Sequence, residues 1–255
     1  MSSIITLLET NQLKLSVPNK DKHTHFLISL QALPENRITF AWIKDYHNAL
    51  DLIENTLNDL PSSDADIGAS LITTSSGKFF CNGFNINELF NYTSDFLNKI
   101  MHLYARLLAF PLPTVAAING HGFGGGCMLA LCHDFCIMNQ AKGFLSMNEI
   151  TIGLPVQHAY IRLVKTKISD SRSLKKCLLN GYRFPATEAA SIGLIDAAVP
   201  ENKILDAATE LAHSQAKFAV KKGVPLGQIK SELYREAITS LRSGDIVAGA
   251  YLSKL

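Results

Sequence analysis

Apolar residues alternate with polar ones at Leu13, Leu15 and Val17, and the same period of two returns at Phe26, Ile28 and Leu30 after Pro18, Asn19 and Lys20. Alternation places every second side chain on one face of a strand, and the turn formers between the two runs predict a hairpin-like pair. The period then changes. Ile43, Tyr46, Leu50, Ile53 and Leu57 recur at steps of three and four, which gathers them on one stripe of a helix that Pro61 and the following Ser-Asp cluster end. Residues 67–74 form a β-rich run, Ser75-Ser76-Gly77 a turn, and Lys78-Phe79-Phe80 a second short strand. Phe96, Ile100, Leu103 and Leu107 mark another helix, with Ser94 as its expected N-cap and Pro111 as its stop. Residues 114–118 supply a buried strand and 135–138 a further candidate. Apolar strands alternating with helices predict an α/β fold in which helices cover the sheets. Beyond Pro155 the pattern is mostly helical, with apolar repeats at Ile204, Ala208 and Leu211 and again at Ile229, Leu233, Ala237 and Leu241. No internal repeat or flexible linker interrupts it, so the boundary between body and helical tail is soft, near 190–200.

Composition narrows the class of partner. A chain of 255 residues with 47% hydrophobic and 18% charged residues can bury a substantial core, as one large domain or one domain with an appendage. With 24 Lys and Arg against 22 Asp and Glu, the net charge of +2 gives no broad basic field, so neither nucleic acid nor an anionic membrane is expected. Local cations remain free to grip a small anionic ligand. The amino end shows no charged region followed by a long apolar stretch, and no apolar run reaches spanning length, which predicts a soluble intracellular protein. The cysteines, Cys81, Cys127, Cys132, Cys136 and Cys177, are odd in number and lie in apolar surroundings, so reduced thiols are expected. His133 between Cys132 and Cys136 hints at zinc, but a second ligand pair at suitable spacing is missing. Ser253, Lys254 and Leu255 read as a peroxisomal import address, which implies an exposed tag and an import receptor as partner.

The most informative stretch runs over 113–130, where an apolar strand leads into Asn119-Gly120, then Gly122, then Gly124-Gly125-Gly126, then a helix. Gly120, Gly122 and Gly125 satisfy G-x-G-x-x-G in a strand-to-helix setting, one reading of which is a dinucleotide site. That reading needs an acidic residue about twenty positions further on, and Asp134 comes too early. A second reading is a tight turn with close helix packing. A third comes from the flanks: Asn119-Gly120, the glycine triplet, Cys127, Leu129-Ala130-Leu131, Asp134, and Glu149 with Gly153-Leu154-Pro155 resemble the signature of the crotonase (enoyl-CoA hydratase/isomerase) superfamily. Upstream, 77–89 resembles that family's G-x-x-F-S-x-G-A-D-x-x-E-L element, and downstream 179–200 resembles its helix pair, so the likeness spans about 25–215.

The resemblance implies a ββα spiral core over 1–195, a helical C-terminal trimerisation subdomain over 196–255, and a homotrimer or hexamer. It implies an acyl-CoA substrate that itself carries coenzyme A, with no metal or redox cofactor. By the same likeness, the backbone N–H groups of Phe84 and Gly125 hold the thioester oxygen, and Glu149 is the proton-transfer base. The loop 81–84, with Cys81, Asn82 and Gly83, lies beside the adenine; Gly124 belongs to the binding turn; and Arg37 is a candidate cation for the phosphates. Two departures matter. Family hydratases carry a second glutamate two residues after the triplet, where this chain has Met128, a thioether that cannot activate water. One carboxylate suffices to carry a proton from C2 to C4, so the pattern is similar to that of Δ3,Δ2-enoyl-CoA isomerases, particularly the plant-type peroxisomal group. Asn85 replaces a common Asp and is expected to start a helix equally well. Rival expectations are another crotonase reaction resting on Asn148 or His121, a silent acyl-CoA binder, and a nicotinamide oxidoreductase.

Overall fold

The computed structural model describes residues 4–17 and 24–246. Strands β1 (Ile5–Glu9), β2 (Leu13–Val17) and β3 (His25–Leu30) pair antiparallel in sequence, with Leu13, Leu15 and Val17 fully buried as their alternation requires. The expected turn at 18–20 lies outside the described residues. Helix α1 (Phe40–Asn58), capped by the Thr39 hydroxyl on the Trp42 N–H, leads to β4 (Ser70–Thr74), which runs parallel to β3. The chain then leaves for a second sheet as β5 (Phe79–Cys81) and returns through α2 (Ile86–Asn91) and α3 (Thr93–Leu108) to β6 (Thr114–Ile118) beside β4. The cycle repeats: β7 (His121–Phe123) joins β5, α4 (Gly125–Leu131) follows, and β8 (Phe135–Asn139) lies beside β6. Finally β9 (Leu145–Ser146) joins β7. Each turn thus deposits one strand in each sheet, a ββα spiral with a large sheet ordered β1-β2-β3-β4-β6-β8-β10 and a small one ordered β5-β7-β9, β10 being Ala197–Val199.

The chain closes with helices α5 (His158–Lys167), α6 (Ser171–Asn180), α7 (Ala186–Ser191), α8 (Ile204–Ala216), α9 (Val224–Leu233) and α10 (Arg235–Arg242). Ile72, Val115, Ala117 and Ile137 on the outer face of the large sheet pack under Ile204, Ala208 and Ala212 of α8. Residues one position away, such as Leu71, Ala116 and Ile118, enter the main core with α1, α3 and α4. Strands covered on both faces need no polar alternation, which is why Thr114–Ile118 is buried at every position. None of the helices among the described residues is long and apolar enough to cross a membrane.

Several buried polar groups are paired in ways that tie the layers together. Tyr46 on α1, Thr73 on β4 and His133 form a hydrogen-bonded chain of 2.8 and 2.9 Å, and His133 Nδ1 lies 2.9 Å from the Leu129 carbonyl. A carbonyl only accepts, so Nδ1 carries the proton, Nε2 accepts from Thr73, and burial pushes the His133 pKa down to about 4. Both ring nitrogens of the residue that hinted at zinc are therefore engaged, and the five cysteines are buried free thiols. Asp134 accepts from the Thr114 N–H at 2.8 Å and its hydroxyl at 3.1 Å, and pairs at 2.5 Å with Lys230 of α9. Lys230 also donates to the carbonyls of Phe110 and Leu112, so a single buried ammonium pins the tail to the start of β6.

Several expectations need correction. α3 begins at Thr93 with Tyr92 at its N-cap position, so Ser94 lies inside the first turn because α2 and α3 follow almost without a break. β4 starts at Ser70 rather than 67, since Gly68 is spent packing against the Ala216 backbone of α8. The apolar repeat from Ile229 to Leu241 is two helices broken at Tyr234, with Ile229 63% and Leu233 67% exposed. α9 turns Lys230 inward to reach Asp134, which rotates its apolar stripe outward; Ala237 and Leu241 of α10 are buried as expected. β1 carries no signal that the alternation revealed.

Candidate active site

Glu149 opens a single 3-10 turn, Glu149–Ile152. Gly153 ends that turn in the left-handed region at φ +66, where a side chain would be strained, and the Leu154 N–H returns to the Glu149 carbonyl at 2.9 Å. The Gly-Leu-x-Pro spacing is thus the local code for a turn that aims one carboxylate at the end of the spiral. Glu149 Oε1 packs against the Gly124 turn, 3.2 Å from where an ideal Cβ there would lie, with Asn148 Oδ1 at 3.6 Å. Glu149 Oε2 is buried and finds no hydrogen-bond partner among the described residues. Removal from water disfavours the charged form and pushes the Glu149 pKa from the ordinary 4.5 up to about 7.

Two backbone elements line the same pocket as this carboxylate. Gly125 is the first residue of α4, so its N–H has no acceptor within the helix. Its carbonyl, in the next peptide unit, accepts at 2.7 Å from the buried Tyr104 hydroxyl of α3. Phe84 forms a parallel bridge with Ile38: the Ile38 N–H donates to Gly83 O and the Asn85 N–H to Ile38 O, both at 2.8 Å. In such a bridge the middle residue turns its own N–H the other way, and no acceptor for it is found among the described residues. The two elements touch, since the Phe84 ring occupies the space a Gly125 side chain would take, 2.3 Å from its ideal Cβ. Gly126 permits still closer approach, with its ideal Cβ 2.0 Å from the Cys81 carbonyl oxygen. Asn85 caps α2 by accepting from the Glu88 N–H at 3.1 Å, the role expected of it.

These groups line one pocket of about 290 Å³. Its wall includes Arg37, Asn82, Gly83, Phe84, Gly124, Gly125 and Glu149, so the chain brings these site residues expected from sequence together. Cys81 is fully buried behind them and is not on the wall. Arg37 is only partly available: its Nε bonds Glu35 at 2.7 Å, and its Nη1 donates to the carbonyls of Asn82 at 3.4 Å and Phe84 at 3.1 Å. Asn148 lies on the wall, whereas His121 packs among Phe79, Phe123 and Phe144 away from it. Met128 is fully buried within α4, and Glu149 is the only carboxylate on the wall among the described residues. The sequence reading missed Leu89, Ile152, Val156 and Tyr160, the apolar side of the pocket, and Tyr104 beneath Gly125. Tyr104 had a signal: it falls on the apolar stripe of α3, where a buried hydroxyl needs an acceptor.

A pocket lined by one desolvated carboxylate and by the backbone of two glycine-containing segments holds groups suited to moving a proton beside a carbonyl. The family model described as enoyl-CoA hydratase/isomerase matches residues 33–241. The chain is 34% identical over 227 residues to the peroxisomal enoyl-CoA delta isomerase 2 of Arabidopsis thaliana, covering 83% of this chain and 89% of that protein. It is 32% identical over 222 residues to enoyl-CoA delta isomerase 3 of the same plant, with 83% and 89% covered. A solved apo enoyl-CoA isomerase of Mycobacterium tuberculosis shares the fold, with a TM-score of 0.78 at 21% identity over 96% of this chain and 99% of that one. A match that spans most of the chain, with relatives about a third identical along it, makes this protein a member of the enoyl-CoA hydratase/isomerase, or crotonase, family.

Proposed function

We propose that this enzyme shifts the double bond of 3-enoyl-CoA to give trans-2-enoyl-CoA in fatty-acid β-oxidation. The observation that carries the reading is Glu149, the lone carboxylate of the pocket among the described residues, with Met128 buried at the position where family hydratases have their second glutamate. Glu149 takes a proton from C2; the C–H electron pair moves into a dienolate whose negative oxygen rests between the Phe84 and Gly125 N–H groups. The same carboxyl returns the proton at C4, and the double bond settles between C2 and C3. No water is added and no net charge is left, so a single acid-base group completes the cycle. The absence of side chains at 124–126 lets the thioester reach the backbone donors.

On this reading the enzyme is peroxisomal, supported by the likeness to a plant relative named peroxisomal and by Ser253, Lys254 and Leu255, which lie outside the described residues. Assembly as a homotrimer or hexamer, through the segment beyond 195, belongs to the same proposal; the exposed Val224, Ile229 and Leu233 of α9 are apolar surface that assembly would cover. Hydration is the second reading, and it rests on Asn148 beside Glu149. Product analysis separates the two. Purified protein given 3-enoyl-CoA should form trans-2-enoyl-CoA without accumulating 3-hydroxyacyl-CoA; steady production of the 3-hydroxy compound would make it a hydratase.

A further inference from the structure

Arg37 is the only guanidinium on the pocket wall among the described residues, which invites a role as a phosphate ligand. Its hydrogen bonds point elsewhere. Resting on the reading of the Phe84 N–H as an oxyanion donor, we infer that Arg37 is a positioning residue that fixes this donor, and that the CoA phosphates are not its target.

The Phe84 N–H belongs to the peptide unit between Gly83 and Phe84. The carbonyl of that unit accepts from the Ile38 N–H at 2.8 Å. The carbonyls of the units before and after it, on Asn82 and Phe84, both accept from Arg37 Nη1, at 3.4 and 3.1 Å. Three successive peptide units are therefore gripped by two successive residues, which leaves the donor N–H little freedom to rotate out of the pocket. The charge of Arg37 is also spent: Nε bonds Glu35 Oε2 at 2.7 Å, and Glu35 Oε1 is held at 2.8 Å by Asn82 Nδ2, closing the loop on itself. A rigid planar fork of donors suits this shared grip on two carbonyls and a carboxylate; a lysine ammonium offers a point charge in its place. Binding a phosphate would require Arg37 to give up Glu35 or the carbonyls that orient the donor. Preorganised donors account for a large share of rate in reactions of this type, and a displacement of about 1 Å costs on the order of 10²-fold.

The test compares wild type, Arg37→Met and Arg37→Lys on 3-enoyl-CoA and on the matching N-acetylcysteamine thioester, which has no phosphates. Binding of a saturated acyl-CoA labelled with 13C at the thioester carbonyl is followed by infrared spectroscopy. If Arg37 positions the donor, Arg37→Met lowers kcat by roughly 10- to 100-fold, by the same factor on both thioesters and with little change in KM. The shift of the labelled carbonyl to lower wavenumber on binding also shrinks, and Arg37→Lys falls between. A loss confined to the CoA substrate and expressed in KM overturns the inference in favour of a phosphate ligand, and so does an unchanged carbonyl shift alongside lost activity. Should wild type isomerise neither thioester, the isomerase reading fails, while the infrared comparison still decides the role of Arg37.

Discussion

Glu149 has one oxygen against the glycine turn and the other without a hydrogen-bond partner among the described residues. A base must be ionised to accept a proton, so kcat/KM for 3-enoyl-CoA should rise with pH through a midpoint near 7, the Glu149 value, and then level off. A pH profile checks this; an acid limb with a midpoint near 4.5 would mean that the carboxylate is solvated. Stability runs the other way. The folded-state pKa is raised from 4.5 to about 7, so the native state favours the protonated form; its contribution is full below pH 4.5 and is lost as pH rises through about 7. At 1.36 kcal/mol per unit, Glu149→Gln should be more stable than wild type by up to about 3 kcal/mol at pH 8, with the gap closing towards pH 4. Urea unfolding at the two pH values measures it. The position of Glu149 is legible from its motif, whereas the extent of its burial depends on Tyr160, Leu154 and Val156 closing the pocket from α5 and the loop before it.

The elements that matter most are short. β5 and α4 hold the 81–84 loop and the glycine turn in contact, and Gly126 is the point where they meet, with the Cys81 carbonyl in the space a methyl would need. Gly126→Ala should push the 81–84 loop outward and lower kcat by about 10²-fold, more than any loss of thermal stability at the assay temperature explains. Rates measured beside a melting curve settle it, and a fully active Gly126→Ala would show that the contact is dispensable. Sequence periodicity located the long helices α1 and α3 well, because their apolar stripes repeat over several turns. It failed at the tail, where the stripe of α9 faces outward and a lysine faces inward. A buried cation looks like a surface residue until its acceptors, Asp134, Phe110 and Leu112, are known, and they lie about a hundred positions away along the chain. The donor role proposed for Phe84 and Gly125 comes only from the family likeness, since a main-chain N–H leaves no mark in the sequence.

At the scale of the whole molecule, the spiral brings residues from its successive turns, near Phe84, Gly125 and Glu149, to one pocket, and the tail is fastened to it by the Lys230–Asp134 pair. Removing one partner of a buried pair strands the other charge, so Lys230→Ala should cost roughly 3–5 kcal/mol in global stability, seen as a lowered denaturation midpoint. The order of strands in the two sheets was not readable from hydrophobic pattern, because neighbours such as β6 and β8 are brought together only by the spiral path. The family resemblance supplied that path. The central claim is that one carboxyl carries the proton from C2 to C4. A single turnover of 3-enoyl-CoA deuterated at C2, followed by mass spectrometry in ordinary water, tests it most directly. The account predicts a trans-2-enoyl-CoA product that retains part of the deuterium at C4, with formation slowed roughly 10²- to 10⁴-fold by Glu149→Gln. A 3-hydroxyacyl product, or a Glu149→Gln variant that passes the deuterium at the wild-type rate, would contradict it.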